Sequence, residues 1–194
     1  MRSLQLEPIV AMRTWWLGWR DHAEAPVLLP VIAGGRPWPA RRPARAVCRR
    51  HRGHQVPGDG CLCGLHATND EARLRRTRSP GVLGTVAMWG RVVQHERGYR
   101  AEMGYPQRLR LTCFLCLVEH GLRTARPAFV AKLRRGRLIP LCEEHLDLAH
   151  RYDLPMVDVL EGRAVERALL DAYAVDPLGA EPQPWSRSVG VVTR

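Results

Sequence analysis

The chain has 194 residues, enough for one domain or two small ones with a modest core. It lacks an apolar run of the ~18 residues that a membrane span needs and a signal-peptide-like start, so we expect a cytoplasmic protein with no membrane partner. The net charge is +11, and residues 1–142 hold 25 basic against 9 acidic residues, which could attract nucleic acid. Lys132 is the only lysine; this arginine bias is typical of a GC-rich bacterial genome and weakens the charge argument.

Residues 9–40 are rich in tryptophan. Trp15, Trp16, Trp19 and Trp38 lie among short apolar pieces that Gly and Pro interrupt, a pattern typical of short strands and turns. Exposed tryptophans could stack nucleobases. The favoured interpretation is that they fill the core of a small β-rich module.

The next segment is strongly basic. Residues 36–52 carry seven arginines and no acid, and three prolines favour an exposed, extended conformation. A solvated loop is the simplest interpretation, and an arm that contacts phosphates is the alternative. In that alternative, the nucleic-acid-binding residues of this segment are Arg41, Arg42, Arg45, Arg49 and Arg50.

A first cluster of potential metal ligands overlaps this segment. In a reducing compartment, grouped Cys and His are more often metal ligands than disulfide partners. The C-x-C spacing is tighter than the usual knuckle, although Gly60 and Gly64 ease the bend and residues 57–60 form a strong turn. The alternative is a set of reduced structural cysteines near a surface turn. His54 or His66 could take the place of the histidine in the predicted set. The predicted ligands are Cys48, His51, Cys61 and Cys63.

A short helix over residues 67–76 is predicted next, capped by Thr68 or Asn69. The strongest strand pattern follows over residues 82–105, with a turn at 96–98. Pro106 is predicted to end the return strand.

The glycines in the first strand of this hairpin and the polar residues near its turn each support a further prediction. Gly84 and Gly90 predict a bulge or bend in its first strand. Polar residues cluster near its turn, and they favour cross-strand ion pairs over a functional patch. These residues are Arg91, His95, Arg97, Arg100 and Glu102.

Residues 15–110 contain the patterns Cys61-x-Cys63-Gly64, Trp89-Gly90-x-Val92 and Gly98-Tyr-Arg-Ala-Glu102. This combination resembles a family of small, uncharacterised bacterial proteins found in actinobacteria and bacilli. The resemblance implies that the first Cys cluster and the hairpin belong to one folded module. It implies no activity.

A second ligand cluster spans residues 113–145. It opens with a C-x-x-C pair and closes with a C-x-x-H pair, the spacing of a tetrahedral zinc site. Two short strands with a Gly-containing turn are predicted between the pairs, and a helix from residue 143 after them. The predicted ligands are Cys113, Cys116, Cys142 and His145. All six cysteines of the chain belong to the two clusters.

A knuckle, a hairpin and a helix that carries the last two ligands resemble the treble-clef zinc finger. The resemblance covers about 35 residues of a motif that serves many functions. It implies a structural zinc ion. Basic residues at the predicted hairpin tip could reach nucleic acid. They are Lys132, Arg134, Arg135 and Arg137.

Residues 155–174 show apolar residues at helical spacing and predict a helix with an acidic face. The proline-containing segment 175–194 is predicted to be a flexible tail. The whole sequence predicts an α+β fold. A β-rich module over 9–110 holds one zinc ion, and a treble-clef-like module with C-terminal helices over 111–174 holds a second.

The leading functional hypothesis is a non-enzymatic, regulatory bacterial protein that binds two zinc ions and contacts DNA or RNA through its arginine-rich surface. The alternative is a zinc-stabilised adaptor for protein–protein interactions. An enzyme is disfavoured because both predicted shells are complete and no thiol is left for nucleophilic catalysis. A metal-dependent nuclease is the enzymatic alternative.

Overall fold

The computed structural model describes residues 7–179 apart from 21–24, 33–34, 52, 78–79 and 125, and the side chains of all these residues except 123 and 135. No helix in these ranges is long and apolar enough to cross a membrane. The strands are β1 (Ile9–Arg20), β2 (Ala25–Leu29), β3 (Ala44–Arg45), β4 (Leu65–Ala67), β5 (Val82–His95), β6 (Gly98–Leu111), β7 (Phe129–Leu133), β8 (Arg137–Leu141), β9 (Met156–Glu161) and β10 (Asp176–Pro177). The helices are α1 (Glu71–Arg75), α2 (Phe114–His120), α3 (Glu143–Arg151) and α4 (Gly162–Tyr173).

The strands form one connected sheet in the order β10-β6-β5-β1-β8-β7-β9, with β2 beside β1 and with β3 and β4 beside β6. Strand β1 joins its two halves. Residues 9–15 pair with β5, residues 16–20 pair with β2, and Leu17 and Gly18 also pair with β8. The fold is therefore mixed and mostly β, as predicted at the level of fold class.

The main hydrophobic core lies along β1 and contains residues from both sides of position 110. Trp15 and Trp38 are buried, with ring centroids 5.4 Å apart in an edge-to-face arrangement, so these two tryptophans are core residues as expected. Trp16 and Trp19 are half-buried. Core residues from beyond position 110 include Val130, Leu138, Val165, Leu169 and Tyr173.

The β5–β6 hairpin is confirmed, and so is its predicted bulge. The register shifts between Trp89 and Val92, where Gly90 adopts φ +75°, a conformation that favours glycine. The prediction that Pro106 ends the return strand is wrong. β6 continues through Pro106 to Leu111, because a register shift beside the Pro106–Val86 pair accommodates the missing N–H.

The hairpin β7–β8 and the helix α3 are confirmed. Two other local predictions are wrong. Helix α1 is capped by Asp70 and not by the predicted Thr68 or Asn69. The side chain of Asp70 accepts a hydrogen bond from the N–H of Ala72 at 2.9 Å. The start of the predicted helix 155–174 is instead strand β9, because its Val-Asp-Val alternation suits pairing with β7.

Part of the predicted tail belongs to the sheet. Residues 176 and 177 pair in parallel with β6 as β10, and the N–H of Leu178 donates to the carbonyl of Leu109 at 2.8 Å. The expectation of flexibility for 180–194 falls outside the described residues.

Candidate metal centres

Two groups of three cysteines and one histidine converge in the fold, and each could hold a metal ion. The second group, termed here the C-terminal centre, contains Cys113, Cys116, Cys142 and His145. Nδ1 of His145 lies 3.3, 3.4 and 3.0 Å from the three sulfurs in that order. Tetrahedral zinc with Zn–S bonds of about 2.3 Å and Zn–N bonds of about 2.0 Å requires S···N separations of about 3.5 Å. The donor spacing therefore fits a tetrahedral ion.

Secondary structure places these four donors. Cys113 is the N-cap residue of α2 and Cys116 lies in its first turn. Cys142 is the N-cap residue of α3, and His145 lies in that helix's first turn. The hairpin β7–β8 separates the two pairs in the chain. Helix N-termini favour negative charge, so both pairs start where thiolates are stabilised.

The surroundings of the C-terminal centre are apolar. Burial, followed by the neighbouring Cys113, raises the pKa of the Cys116 thiol to about 12. Three thiolates this close repel one another in a buried site, and a bound cation offsets that repulsion. A small hydrophobic cluster that includes Ala131 and Leu141 surrounds the ligands. The centre is thus built as a closed, water-poor site.

The first group, termed the N-terminal centre, contains Cys48, His54, Cys61 and Cys63. The sulfurs of Cys48 and Cys61 are 3.7 Å apart, and that of Cys63 is 3.8 Å from Nε2 of His54. The S···S separation matches the edge of about 3.8 Å expected for tetrahedral thiolate zinc. All four ligands are half-buried, so this centre lies nearer the surface.

The structure brings His54, rather than the first-choice His51, to the N-terminal centre. The backbone N–H of His51 donates to Sγ of Cys48 at 3.4 Å, which places residue 51 in the turn around that sulfur while its own ring lies outside the group. Nδ1 of His54 is 2.7 Å from the carbonyl of Gln55. Such a bond orients a ligand ring and leaves Nε2 for the metal. His66 instead contacts the carbonyl of Leu62 at 2.9 Å.

Electrostatics in the N-terminal centre favour a ligating thiolate. Hydrogen bonding to His54, and then to the backbone N–H of His51, lowers the pKa of Cys48 to about 6. Cys48 in turn raises the pKa of His54. A thiol with a lowered pKa supplies the deprotonated form that binds metal near neutral pH.

Two arginines of the β5–β6 hairpin hold the ligand loop, a role that the sequence pattern does not predict. Arg100 is buried, and its guanidinium donates to the carbonyls of Gly58, Cys61 and Cys63. One guanidinium nitrogen of Arg91 donates to both carboxylate oxygens of Asp59, at 2.8 Å each. The sequence predicts cross-strand ion pairs at the hairpin end for both residues. Their loop partners are distant in sequence, so only the folded chain reveals them.

Several predicted nucleic-acid-binding residues have partners within the protein. Arg41 donates to the carbonyl of Asp171 at 2.9 Å, and Arg45 forms an ion pair with Glu102 at 2.9 Å. The side chain of Arg135 lies outside the described set.

Two basic residues near the tip of the β7–β8 hairpin lie over tryptophan rings. Lys132 Nζ is 5.4 Å from the centroid of Trp19, and the guanidinium of Arg137 is 4.8 Å from that of Trp16. These are cation–π distances.

The remaining predicted basic residues are exposed. Within the described part of the chain they form no ion pair. They are Arg42, Arg49, Arg50 and Arg134.

Comparisons of the chain with protein-family models, with curated proteins and with solved structures found no match. The resemblance of residues 15–110 to a small bacterial family therefore stays a prediction.

Proposed function

We propose that the protein is a non-enzymatic zinc-binding protein that presents arginines to nucleic acid from a metal-held loop. Zinc is the ion that Cys₃His sets with tetrahedral spacing most often hold. A borderline-soft cation suits thiolate ligands, whereas magnesium and calcium prefer oxygen. The element order around the C-terminal centre supports a treble-clef-like module.

A structural role for both ions follows from ligand number. Four protein donors complete a tetrahedral shell, so neither ion retains a position for an activated water. His54 matters here, because without it the N-terminal centre would have three protein ligands and an open position. We therefore infer that the metals stabilise the fold.

The observation that carries the nucleic-acid proposal is the placement of Arg49 and Arg50. They lie between the ligands Cys48 and His54, are exposed, and have no ion pair among the described residues. A metal-held turn reduces the entropy lost when such side chains engage phosphates. Arg42, in the same basic segment, extends the charged surface.

The test is the salt dependence of binding to fluorescently labelled single-stranded DNA, double-stranded DNA and RNA of mixed sequence. Affinity should fall steeply from 50 to 200 mM salt, as about 0.7–0.9 counterions are released per phosphate contact. The double variant Arg49→Gln/Arg50→Gln should reduce the slope of log K against log salt by about 1.5.

A matched control removes two exposed arginines from the acidic C-terminal part, Arg151→Gln/Arg163→Gln. It should leave the slope unchanged. If the two double variants lowered the salt slope equally, binding would depend on the net charge of the protein and not on the position of Arg49 and Arg50. An absence of binding at low salt to all three nucleic acids would overturn the proposal.

The second candidate function, a protein-interaction adaptor, has its own support at β9. This strand ends the sheet order, and among the described residues it pairs on one side only, with β7. Val157 and Val159 are 55% and 38% exposed there. A half-paired edge with apolar side chains can accept an extended segment of another protein.

The two functions differ in their response to salt and to substitution. An apolar edge contact should survive at salt concentrations that abolish phosphate binding. A protein partner that the wild type retains at high salt, and that Val157→Lys/Val159→Lys loses, would favour the adaptor. If the wild type and the Val157→Lys/Val159→Lys variant both retained the partner, the contact would lie elsewhere on the protein.

A further inference from the structure

A cavity of about 690 Å³ lies between β1, β4, α1 and the turn of the β5–β6 hairpin. Its volume falls within the range of small-molecule sites, about 300–1,000 Å³. It is separate from the ligand shells of both metal centres. The residue between two ligands of the N-terminal centre, Leu62, nevertheless forms part of its wall.

Among the described residues, Arg13 forms no ion pair with a carboxylate, and this buried arginine lines the cavity. Arg13 is 8% exposed, donates to the carbonyl of His66, and lies 5.0 Å from the ring centroid of Trp38. Its Nε is buried and has no hydrogen-bond partner in the part of the chain that the structure describes. Burial lowers the pKa of Arg13 to about 10, which leaves the guanidinium charged near neutral pH. A buried cation with an unused donor is costly unless something pairs with it.

A second unused donor belongs to His95. Its Nδ1 accepts the backbone N–H of Arg97 at 3.1 Å, so the neutral ring carries its proton on Nε2. That Nε2 is buried, has no hydrogen-bond partner among the residues described, and belongs to a residue that lines the cavity. Burial, followed by the charges of Arg100 and Arg97, lowers the pKa of His95, as expected in a positive field.

The charge lining the cavity is positive. Four arginines contribute to it, at positions 13, 73, 97 and 100, and Glu96 is the one acid among the described lining residues. Arg73 is already paired with Asp70 at 3.1 Å. Asp70 offsets the charge of Arg73, and Glu96 offsets one more positive charge, so an excess of about two positive charges remains. A phosphate monoester carries about two negative charges near neutral pH and would balance this excess.

The rest of the wall is apolar. Met12 and Leu74 are buried beneath the cavity, whereas Ile32 and Leu62 are 65% and 82% exposed beside it. Large apolar side chains left in solvent around a concave site are typical of ligand contact. A ligand with an apolar body would cover them while its anionic end met the arginines.

We propose that this cavity binds a small phosphorylated molecule with an apolar body, held by Arg13, His95 and Arg97. The proposal is independent of nucleic-acid binding, because Arg49 and Arg50 do not line the cavity. A bound ligand would also touch Leu62, and Arg100 links the cavity wall to the carbonyls of the N-terminal centre. Occupancy of the cavity should therefore stabilise that metal-held loop.

The experiment is a calorimetric titration of the full, metal-bound chain with phenyl phosphate. Phenol and inorganic phosphate serve as the two halves of this probe. Phenyl phosphate should bind one to one with a Kd below about 1 mM. Each half should bind at least about tenfold more weakly, because it lacks either the charge or the apolar body.

Two single substitutions test the roles of His95 and Arg97, and both leave the deeply buried Arg13 unchanged. His95→Leu and Arg97→Gln should each weaken phenyl phosphate about tenfold or more, the effect of one lost charge-assisted hydrogen bond. Arg151→Gln, which removes an exposed arginine from α3, should bind as the wild type does. Circular dichroism and metal content establish that each variant is folded.

The proposal would be overturned by the absence of saturable binding by the wild type, by unchanged affinity in folded His95→Leu and Arg97→Gln, or by an equal loss of affinity in Arg151→Gln. Binding of phenol as tight as that of phenyl phosphate would equally exclude an anion site.

Discussion

The hydroxyl of Tyr173 accepts a hydrogen bond from the backbone N–H of Leu28 at 3.0 Å, across 145 positions of sequence. The same hydroxyl donates to the carbonyl of Trp38 at 2.8 Å. Tyr173 is fully buried in the last turn of α4. One side chain thus ties the C-terminal helix to β2 and to the core tryptophan.

Replacing Tyr173 with Phe should destabilise the protein by about 1–3 kcal/mol, because it leaves the buried Leu28 N–H and Trp38 carbonyl without their partner. Urea unfolding followed by circular dichroism measures the change. Tyr152→Phe is the matched control, since Tyr152 is 77% exposed, and it should shift stability by less than about 0.5 kcal/mol. Equal effects would mean that the buried bonds contribute nothing specific.

The same tyrosine predicts a pH dependence. Burial raises the pKa of Tyr173 from 10 to about 12, so the folded state favours the neutral phenol. Its contribution to the free energy of unfolding is complete below pH 10 and is lost as the pH rises towards 12. The stability difference between wild type and Tyr173→Phe should therefore narrow between pH 9 and 11.5. A constant difference over that range would contradict the raised pKa.

Much of the fold follows from short-range pattern. The β5–β6 hairpin, the β7–β8 hairpin and α3 are visible in alternation, turn residues and helix-start signals. The pairing of Leu17 with Leu138 is not, because strand partners distant in sequence leave no local trace. The Val-Asp-Val alternation in 156–161 is a local trace of β9, but a six-residue strand is too short to outweigh the helical spacing that follows it, and pairing with β7 decides the conformation.

The candidate site divides in the same way. C-x-x-C and C-x-x-H spacing identified the C-terminal centre completely, because each pair is local and the helix starts orient it. In the N-terminal centre the sequence predicts the three cysteine ligands, but the choice of histidine depends on the conformation of the loop. His51 has the better spacing from Cys48, whereas the ring of His54 is the one that lies within the group, with its Nε2 3.8 Å from the sulfur of Cys63.

His54→Ala should remove one ligand from the N-terminal centre, and His51→Ala should remove none. We expect two metal ions per purified chain for the wild type and for His51→Ala, and close to one for His54→Ala. Elemental analysis gives the ion count, and a thiol reagent reports whether Cys48, Cys61 and Cys63 have become reactive. The opposite order of the two variants would restore His51 as the ligand.

Gly58 is predicted to be essential to the same centre for a steric reason. A Cβ atom there would lie 2.5 Å from Nδ1 of His54, whereas one at Gly60 would meet nothing within 4 Å. Gly58→Ala should displace the ring that Gln55 orients, and weaken metal binding about 10- to 100-fold. Competition with a chromophoric chelator measures the affinity. Gly60→Ala should bind the metal as tightly as the wild type does. A similar loss of affinity in Gly58→Ala and Gly60→Ala would indicate that the effect comes from the conformational entropy of the loop and not from a clash with His54.

Cys116→Ser tests whether the chain unfolds as two modules that meet near residue 110. The hydrophobic cluster around the C-terminal centre is distinct from the main core. Loss of this ligand should therefore remove hydrogen-exchange protection from α2 and α3 while β5 and β6 keep theirs. Hydrogen exchange with mass spectrometry resolves these segments.

Cys63→Ser is the reciprocal control, because it should expose the 48–64 loop and leave α3 protected. Strand β1 makes the test demanding, since it pairs with β5 at one end and with β8 at the other. If Cys116→Ser removes protection from β5 and β6 as well, this shared strand and the shared core make the chain one cooperative unit. The boundary near residue 110 would then separate two metal centres without separating two folding units.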